Sequence, residues 1–539
     1  MEIDQKQLFH LAILEAAEKF GDEVALIEAE SKKVLTFSEF RKKCFQFAAV
    51  VSEHVGPVPE GESPGSPGTI MVLLPNCADY PVVFCGAALL GRPICGINPD
   101  STKQELRNYA KKSNSKIVVC SGELLDTVKE SFDFEEMKIF VFENQKNEDD
   151  GKVVNLELLK TPFDENLAST LGARSRALLS VDDVLIAPLS SGSTGEPKCV
   201  LLTHKNFNFA TKILKKSLFD KLSSTGKKSN LAFLPFYHAS GFWALCFCLL
   251  NGHQSIIMKS FQPMVMMEYL QNFKIDVVNL VPSLVNYLIK NHREFRFFDL
   301  SNLKTVLCGS APIGKDIIKK FIEIYPHVED FIQGYGMTEV VCLSHLTPLG
   351  NSAKDEDHSG SCGKLLEGFE AMIVDPETHE IRNHPNEPGE LWLRSDCIMK
   401  GYLNDDEENS KFSESSGWLK TGDILFFDED GFYYVVDRLK NMIKVNGMQV
   451  APLEIENLIL KLNFISEVSV IGIQDADAGE VPLAFVVFNK AELEGKMTTS
   501  EAIEVLRDFV HSRVASHKQL RGGIIPLEKL PKTSTGKKT

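Results

Sequence analysis

Between positions 8 and 20 apolar residues recur every three to four positions, which predicts an amphipathic helix with one buried face. A second helix is predicted from Thr36 to about Val55. Thr36 is its N-cap, and Glu39, three residues on, completes the pattern of a capping box. Residues 56–68 are rich in Pro, Gly and Glu and read as a loop. Beyond it, short continuous apolar runs at 69–74, 93–97 and 116–120 alternate with helical patterns at 80–90 and 104–113. Continuous apolar runs bounded by turn residues are strands buried on both faces. The alternation therefore predicts a largely parallel sheet with helices on both sides.

The rhythm resumes beyond residue 200. Helices are expected at 206–218, 241–250, 264–272, 283–291 and 315–324, with strands at 231–234, 255–258, 277–280 and 305–308. From about Ala371 the texture changes to short strands split by turns (371–374, 389–393, 431–436), as in a small β-barrel or sheet. The charged run 437–447 reads as a boundary. After it, helices at 453–462 and 502–513 and strands at 468–473 and 484–489 predict a small α+β unit. The expected fold class is α/β: a large domain, residues 1–437, of layered α/β subdomains plus a barrel-like unit, followed by a small mobile α+β domain, 438–539, hinged near 437–440.

Composition narrows the function. At 539 residues with 43% hydrophobic and 24% charged positions, the chain has the make-up of a soluble globular protein. A formal net charge of -16 argues against a nucleic-acid surface. Apolar runs such as 82–90 and 242–250 fall well short of the ~20 residues a membrane span needs. The polar N-terminus resembles neither a signal nor a transit peptide. Twelve cysteines without a C-x-x-C pair suggest reduced thiols. A cytoplasmic enzyme, monomeric or weakly dimeric, is expected; the peroxisomal alternative lacks an S-K-L ending here.

Chemistry is concentrated in loops. An apolar run at 184–189 leads into L-S-S-G-S-T-G-E-P-K at 189–198. Glycines let backbone N–H groups approach an anion, and hydroxyls and a lysine add donors, so the stretch suits a phosphate; an ordinary polar turn has the same residues. His238 in L-P-F-Y-H-A-S-G precedes an apolar helix and is either a structural or a functional histidine. G-S-A-P at 309–312 follows a strand. F-I-Q-G-Y-G-M-T-E at 331–339 could stack a base on Tyr335, offer the Thr338 hydroxyl to a phosphate and hold Mg²⁺ through Glu339, or be a tight turn around a packed tyrosine. Asp423 in G-W-L-K-T-G-D could accept two ribose hydroxyls or serve a turn. L-P-K-T-S-T-G-K at 530–537 fails the Walker A pattern, because Pro531 replaces the first glycine and Lys538 the Ser/Thr.

L-S-S-G-S-T-G-E-P-K, L-P-F-Y-H, G-Y-G-M-T-E, G-W-L-K-T-G-D, D-R-L-K-N-M-I-K-V-N-G and P-K-T-S-T-G-K stand in an order and spacing that resembles the adenylate-forming superfamily. The chain is most similar to acyl-CoA synthetases of the coumarate–CoA ligase and firefly luciferase branch. The resemblance covers residues from about 8 to 537. It implies an ATP-dependent acid–thiol ligase that makes an acyl-adenylate and pyrophosphate, then transfers the acyl group to coenzyme A. It implies that Ser190, Ser191, Gly192, Ser193, Thr194, Gly195 and Lys198 hold the β- and γ-phosphates. Thr338 would touch the α-phosphate and Glu339 the Mg²⁺. Gly309, Ser310, Ala311 and Pro312 would bracket adenine with Gly334, Tyr335 and Gly336, while Asp423 and Arg438 fix the ribose. Lys537 would stabilise charge during adenylation, His238 would gate the acyl pocket, and Lys440 would be the hinge. Lys444 and Gly447 would serve thioester formation. Asn446 departs from the lysine common among relatives and puts contacts to the coenzyme A phosphates in doubt.

Small residues after His238 (Ala239, Ser240, Gly241) and the aliphatic stretch 340–344 suggest a pocket for an aliphatic or apolar aryl acid. Two other readings share these motifs: a luciferase-like oxygenase, marked by light emission, and a non-catalytic acyl- or nucleotide-binding protein, marked by failure to exchange pyrophosphate.

Overall fold

A computed structural model of the chain describes residues 4–55, 68–133, 137–142, 153–156, 163–190, 197–223, 226, 228–350, 352–382, 384–414, 416–446 and 448–531. All of the loop expected at 56–68 except Gly68, and the site residues Ser191 to Gly195, Gly447 and Lys537, lie outside the described residues.

Local sequence signals produce the expected elements. The helix Phe37–Val55 is opened by Thr36: the Glu39 N–H donates to Thr36 Oγ1 at 3.1 Å, and the Thr36 N–H donates to Glu39 Oε2 at 2.9 Å. The cap thus satisfies one of the N–H groups that a helix start leaves unpaired, and the Glu39 side chain returns the bond to the cap itself. Helix Phe9–Phe20 buries its apolar face against Phe37–Val55, Asp79–Leu89 and Ala239–Asn251. Strands Val277–Leu280 and Thr305–Cys308 and helix Lys315–Ile324 fall where the apolar pattern puts them.

The architecture is α/β, with a large N-terminal domain of mixed sheets and helices and a small α+β domain after it. The described strands form three sheets. In the largest, Val24–Glu28, Gln254–Ile257, Ser229–Ala232, Val277–Leu280, Thr305–Cys308 and Asp330–Tyr335 run parallel. The second centres on parallel strands Ile94–Gly96, Ile70–Leu73, Ile117–Ser121 and Lys138–Phe142. The third, carried by residues 443–526, pairs Ile465–Asp475 with Gly479–Phe488 as its long antiparallel ladder.

Three details differ from the sequence expectation. The antiparallel strands beyond Ala371 are not detached from the parallel ones. His345–Leu346 pairs with Asp330–Tyr335, and Gly363–Leu365 then joins Phe432–Arg438, so these strands extend the parallel sheet at its edge. The strand expected over 184–189 ends at Ile186, and Leu189–Ser190 forms a separate pairing with Lys198–Thr203. Pro188 lies between them and has no N–H to donate to a ladder. The helix expected over 206–218 is His204–Leu214, followed by a π turn at Lys215–Phe219.

Apolar packing divides the molecule. Two large buried clusters lie within the region up to about residue 435, and a third, smaller cluster flanks the second sheet. A fourth contains only residues from Ile443 onward, around Val445, Ile455, Ile459, Ala484 and Leu506.

Candidate active site

The described ends of the phosphate-type loop are held side by side. Ser190 and Lys198 are register partners across an antiparallel pairing, and Leu189 faces Cys199. The hydroxyl of Ser190 is buried with no hydrogen-bond partner among the described residues. A buried orphan hydroxyl is costly unless something accepts from it or donates to it, which suits a phosphate oxygen. Lys198 does not point into open solvent. Its ammonium lies 3.0 Å from Glu408 Oε2, 3.9 Å from Asp405 Oδ2 and 5.2 Å from the centre of the Tyr402 ring.

The G-S-A-P turn and the G-Y-G segment are neighbours because the strands before them are parallel and in register, with Cys308 opposite Gln333. A Cβ on Gly309 would sit 3.4 Å from the Gly334 carbonyl oxygen. Ser310 takes a φ of +73°, an uncommon conformation for a residue with a side chain. A Cβ on Gly336 would fall 1.7 Å from the Cys342 carbonyl oxygen, so only glycine fits.

Tyr335 has close partners within the protein. Its ring is buried edge-on to His345, and its hydroxyl donates to Asp423 Oδ2 at 2.7 Å. Burial first, and the Asp423 charge next, push the phenol well above its usual range, so it stays a donor. The same arrangement orients Asp423. Asp423 and Arg438 are direct cross-strand partners, and the Arg438 Nε lies 3.2 Å from Asp423 Oδ1. Both carboxylate oxygens thus already have a protein partner that fixes their direction. A carboxylate oxygen can accept from two donors, so a ribose hydroxyl can share an oxygen with either partner.

Thr338 and Glu339 open a single 3-10 turn, Thr338–Val340. Glu339 is buried, and the Tyr402 hydroxyl donates to its Oε1 at 3.2 Å. Its carbonyl accepts from the Met399 N–H at 2.8 Å. The described residues contain no group of three or more His, Cys, Asp or Glu suited to a metal. One buried carboxylate beside a phosphate loop does suit Mg²⁺, which takes one or two carboxylates and completes its shell from substrate phosphates and water.

His238 caps the helix Ala239–Asn251, with its Nδ1 at 3.4 Å from the Ser240 N–H and 3.1 Å from the Ser240 hydroxyl. The loop before it is clasped by Asn76, which donates to the Leu234 carbonyl at 3.0 Å and accepts from the Phe236 N–H at 2.9 Å. Gly241, after His238, has a packing role: a Cβ there would lie 2.3 Å from the Pro235 carbonyl oxygen. Val340 and Val341 also lie in the core, and Val341 has a φ of +68°. Such a conformation costs a β-branched residue on the order of 1–3 kcal/mol. In the 340–344 stretch, Cys342 and Leu343 are the half-buried side chains.

Lys440 lies in the turn Leu439–Asn441, directly after the strand that carries Arg438. Lys444 is exposed on Ile443–Val445, where its N–H donates to Glu480. Sequence reasoning missed the segment that joins these parts. Gly401–Tyr402 pairs with Lys198–Thr203, placing Tyr402 between Lys198 and Glu339. The chain offers little more than a Gly-Tyr pair there, in a stretch without strand periodicity. Asp437 stands at the start of the stretch expected as a hinge, and the partners of its side chain do not follow from the sequence. Its carboxylate accepts from the Asn441 side chain and, through Oδ2, from the Leu453 N–H at 2.9 Å.

Residues 13–403 match the family model of the AMP-binding enzymes, and residues 454–537 match the model of the AMP-binding enzyme C-terminal domain. The chain belongs to the AMP-binding enzyme family. Within this adenylate-forming superfamily it falls in the acyl- and aryl-acid–CoA ligase branch. It is 32% identical over 538 residues to a 4-coumarate–CoA ligase of Vanilla planifolia, covering 98% of this chain and 91% of that one. It is 32% identical over 518 residues to a peroxisomal OPC-8:0-CoA ligase of Arabidopsis thaliana, covering 95% and 89%. Among solved structures, ATP-bound MatB from Rhodopseudomonas palustris shares the fold at a TM-score of 0.79 and 20% identity, covering 98% of this chain and 97% of that one. The o-succinylbenzoate CoA synthetase of Bacillus subtilis does so at 0.77 and 22%, covering 99% and 97%.

Proposed function

We propose that this AMP-binding enzyme is an AMP-forming acid–thiol ligase that activates a carboxylic acid as its acyl-adenylate and transfers the acyl group to coenzyme A. The observation that carries the reading is similarity to 4-coumarate–CoA ligases over nearly the whole of both chains. The fatty or aryl-propenoic acid class is the finer reading, supported by the half-buried apolar residues Cys342 and Leu343 beside Gly334 and Gly336.

A carboxylate is a poor electrophile, and adenylation gives it a good leaving group, so two moderate barriers replace one high one. The Ser190 hydroxyl and Lys198 would receive the β- and γ-phosphates, and Thr338 the α-phosphate. Asp423, oriented by Tyr335 and Arg438, would hold the ribose. Glu339 would hold Mg²⁺, which when bound neutralises triphosphate charge. Lys537 would stabilise the charge that builds as one anion approaches another. Lys440 would be the hinge, and Lys444 and Gly447 would serve thioester formation. We place the domain boundary at 437/438; the separation of the apolar clusters supports it.

The test is a panel of acids from acetate through long fatty acids to cinnamates, assayed for coenzyme A-dependent AMP release and for pyrophosphate exchange. Release with at least one acid is expected. Absence of exchange with every acid would overturn the reading.

A further inference from the structure

Lys198, the lysine at the phosphate loop, is held by carboxylates. Its side chain is 11% exposed, and Glu408 Oε2 lies 3.0 Å from its ammonium. A lysine stem has four rotatable bonds, so fixing its head in one place carries an entropic cost that a defined partner must offset.

Glu408 is itself firmly placed. It lies on helix Asp406–Glu414, and its N–H donates to Asp405 Oδ1 at 3.2 Å. The next residue, Asn409, clasps the Tyr402 backbone from both sides: it accepts from the Tyr402 N–H and donates to the Tyr402 carbonyl, each at 2.8 Å. Tyr402 belongs to the strand paired with the one that begins at Lys198. The helix, the strand and the end of the phosphate loop are therefore tied into one bracket.

The two oxygens of Glu408 serve different lysines. Oε2 faces Lys198, and Oε1 lies 2.7 Å from the Lys411 ammonium. The Lys411 and Lys198 ammonium groups together hold the Glu408 carboxyl below its usual range. A lysine ammonium has three donors, so Lys198 can keep Glu408 while it donates to a phosphate, and Lys411 holds the other Glu408 oxygen.

We propose that Glu408 is a positioning residue for Lys198: it holds the ammonium at the phosphate loop before nucleotide arrives and keeps hold of it while the remaining N–H donors of the ammonium meet the incoming phosphate. The proposal rests on the reading of Lys198 as a phosphate ligand. The opposite sign, in which Glu408 repels or competes with the triphosphate, is an outcome of the test.

The test measures ATP binding by calorimetry on the full chain, with kcat and KM for ATP from pyrophosphate exchange using an acid from the panel. Glu408→Gln keeps the shape and removes the charge. Weakening of ATP binding by about 5- to 20-fold is expected, with kcat within about twofold and partial recovery in Glu408→Asp. In a Lys198→Met background the same substitution should add less than about twofold. Unchanged or tighter ATP binding in Glu408→Gln would overturn the proposal, as would an undiminished effect in the Lys198→Met background. If Lys198→Met itself leaves ATP binding unchanged, the phosphate reading of Lys198 fails first. Thermal melting of each variant separates misfolding from loss of the contact.

Discussion

The region up to about residue 435 and the region from Ile443 onward are held together internally by the same physics and joined to each other by different physics. Each has buried apolar side chains of its own, and no buried apolar cluster of the described residues includes both. Polar contacts run between them. Lys290 donates to the Ile465 and Ser466 carbonyls at 2.6 and 3.0 Å, Lys461 lies 2.7 Å from Asp316, and Asp437 caps the start of Pro452–Ile459. Apolar cores resist separation in proportion to the area they bury. Exposed ion pairs and ammonium–carbonyl bonds exchange readily for water. The joint is therefore of the kind that can be remade, while each body stays intact. Such a joint is what a ligase needs if one small domain serves two half-reactions.

The largest expected effect uses that division directly. Lys537→Ala should lower pyrophosphate exchange by roughly 10²–10³, as other single-donor deletions do, while thiolysis of a supplied acyl-adenylate persists. Equal loss of both half-reactions would show that the two regions do not divide the chemistry. Next, Ile459→Ala empties a fully buried position in the small core. It should destabilise the small region by about 2–5 kcal/mol and leave the melting of the large region in place. A single transition that shifts as a whole in calorimetry would make the two regions one cooperative unit.

A smaller effect is expected from pH. Burial first pushes the Lys290 ammonium down to about 8. Its folded pKa then lies below the unfolded value near 10.4, so between about pH 8 and 10 the unfolded state binds more protons. The contribution of Lys290 to stability should rise with pH across that window, by at most ~1.4 kcal/mol per pH unit, and be level below it. Wild type should therefore gain stability relative to Lys290→Met as pH rises through the window; parallel pH profiles of wild type and variant would remove Lys290 from the joint. The smallest effect belongs to Lys461 and Asp316, each more than half exposed. A double-mutant cycle through Lys461→Ala and Asp316→Ala should give a coupling of ~0–1 kcal/mol. A much larger coupling would mean that the joint is tighter than its chemistry suggests.

Short-range signals were legible in the chain. The Thr36–Glu39 capping box, the buried strands at Val277–Leu280 and Thr305–Cys308, and the helix Lys315–Ile324 follow from neighbouring residues, because backbone pairing and helical periodicity act over a few positions. Two-residue strands such as His345–Leu346 are too short to carry a period, and the join they make between parallel and antiparallel strands is invisible to pattern reading. The candidate side chains among the described residues mostly occupy loops and strand ends, as the motifs suggest, but their partners do not follow from the motifs. The glycines around Tyr335 suggest a stacking platform, whereas its hydroxyl is also a donor to Asp423, 88 positions away.

The sequence by itself determined the family, the order of elements and the residue types that could handle a nucleotide. Those are properties of local pattern and of motifs a few residues long. Only the tertiary structure decided how the charges are shared. Strand register made Asp423 and Arg438 partners, and a two-residue strand carried Tyr402 between Lys198 and Glu339. The physical reason is that a charge in a folded protein is governed by what packing brings within a few ångströms of it. For Lys198 that is Glu408, far along the chain and 3.0 Å away in space.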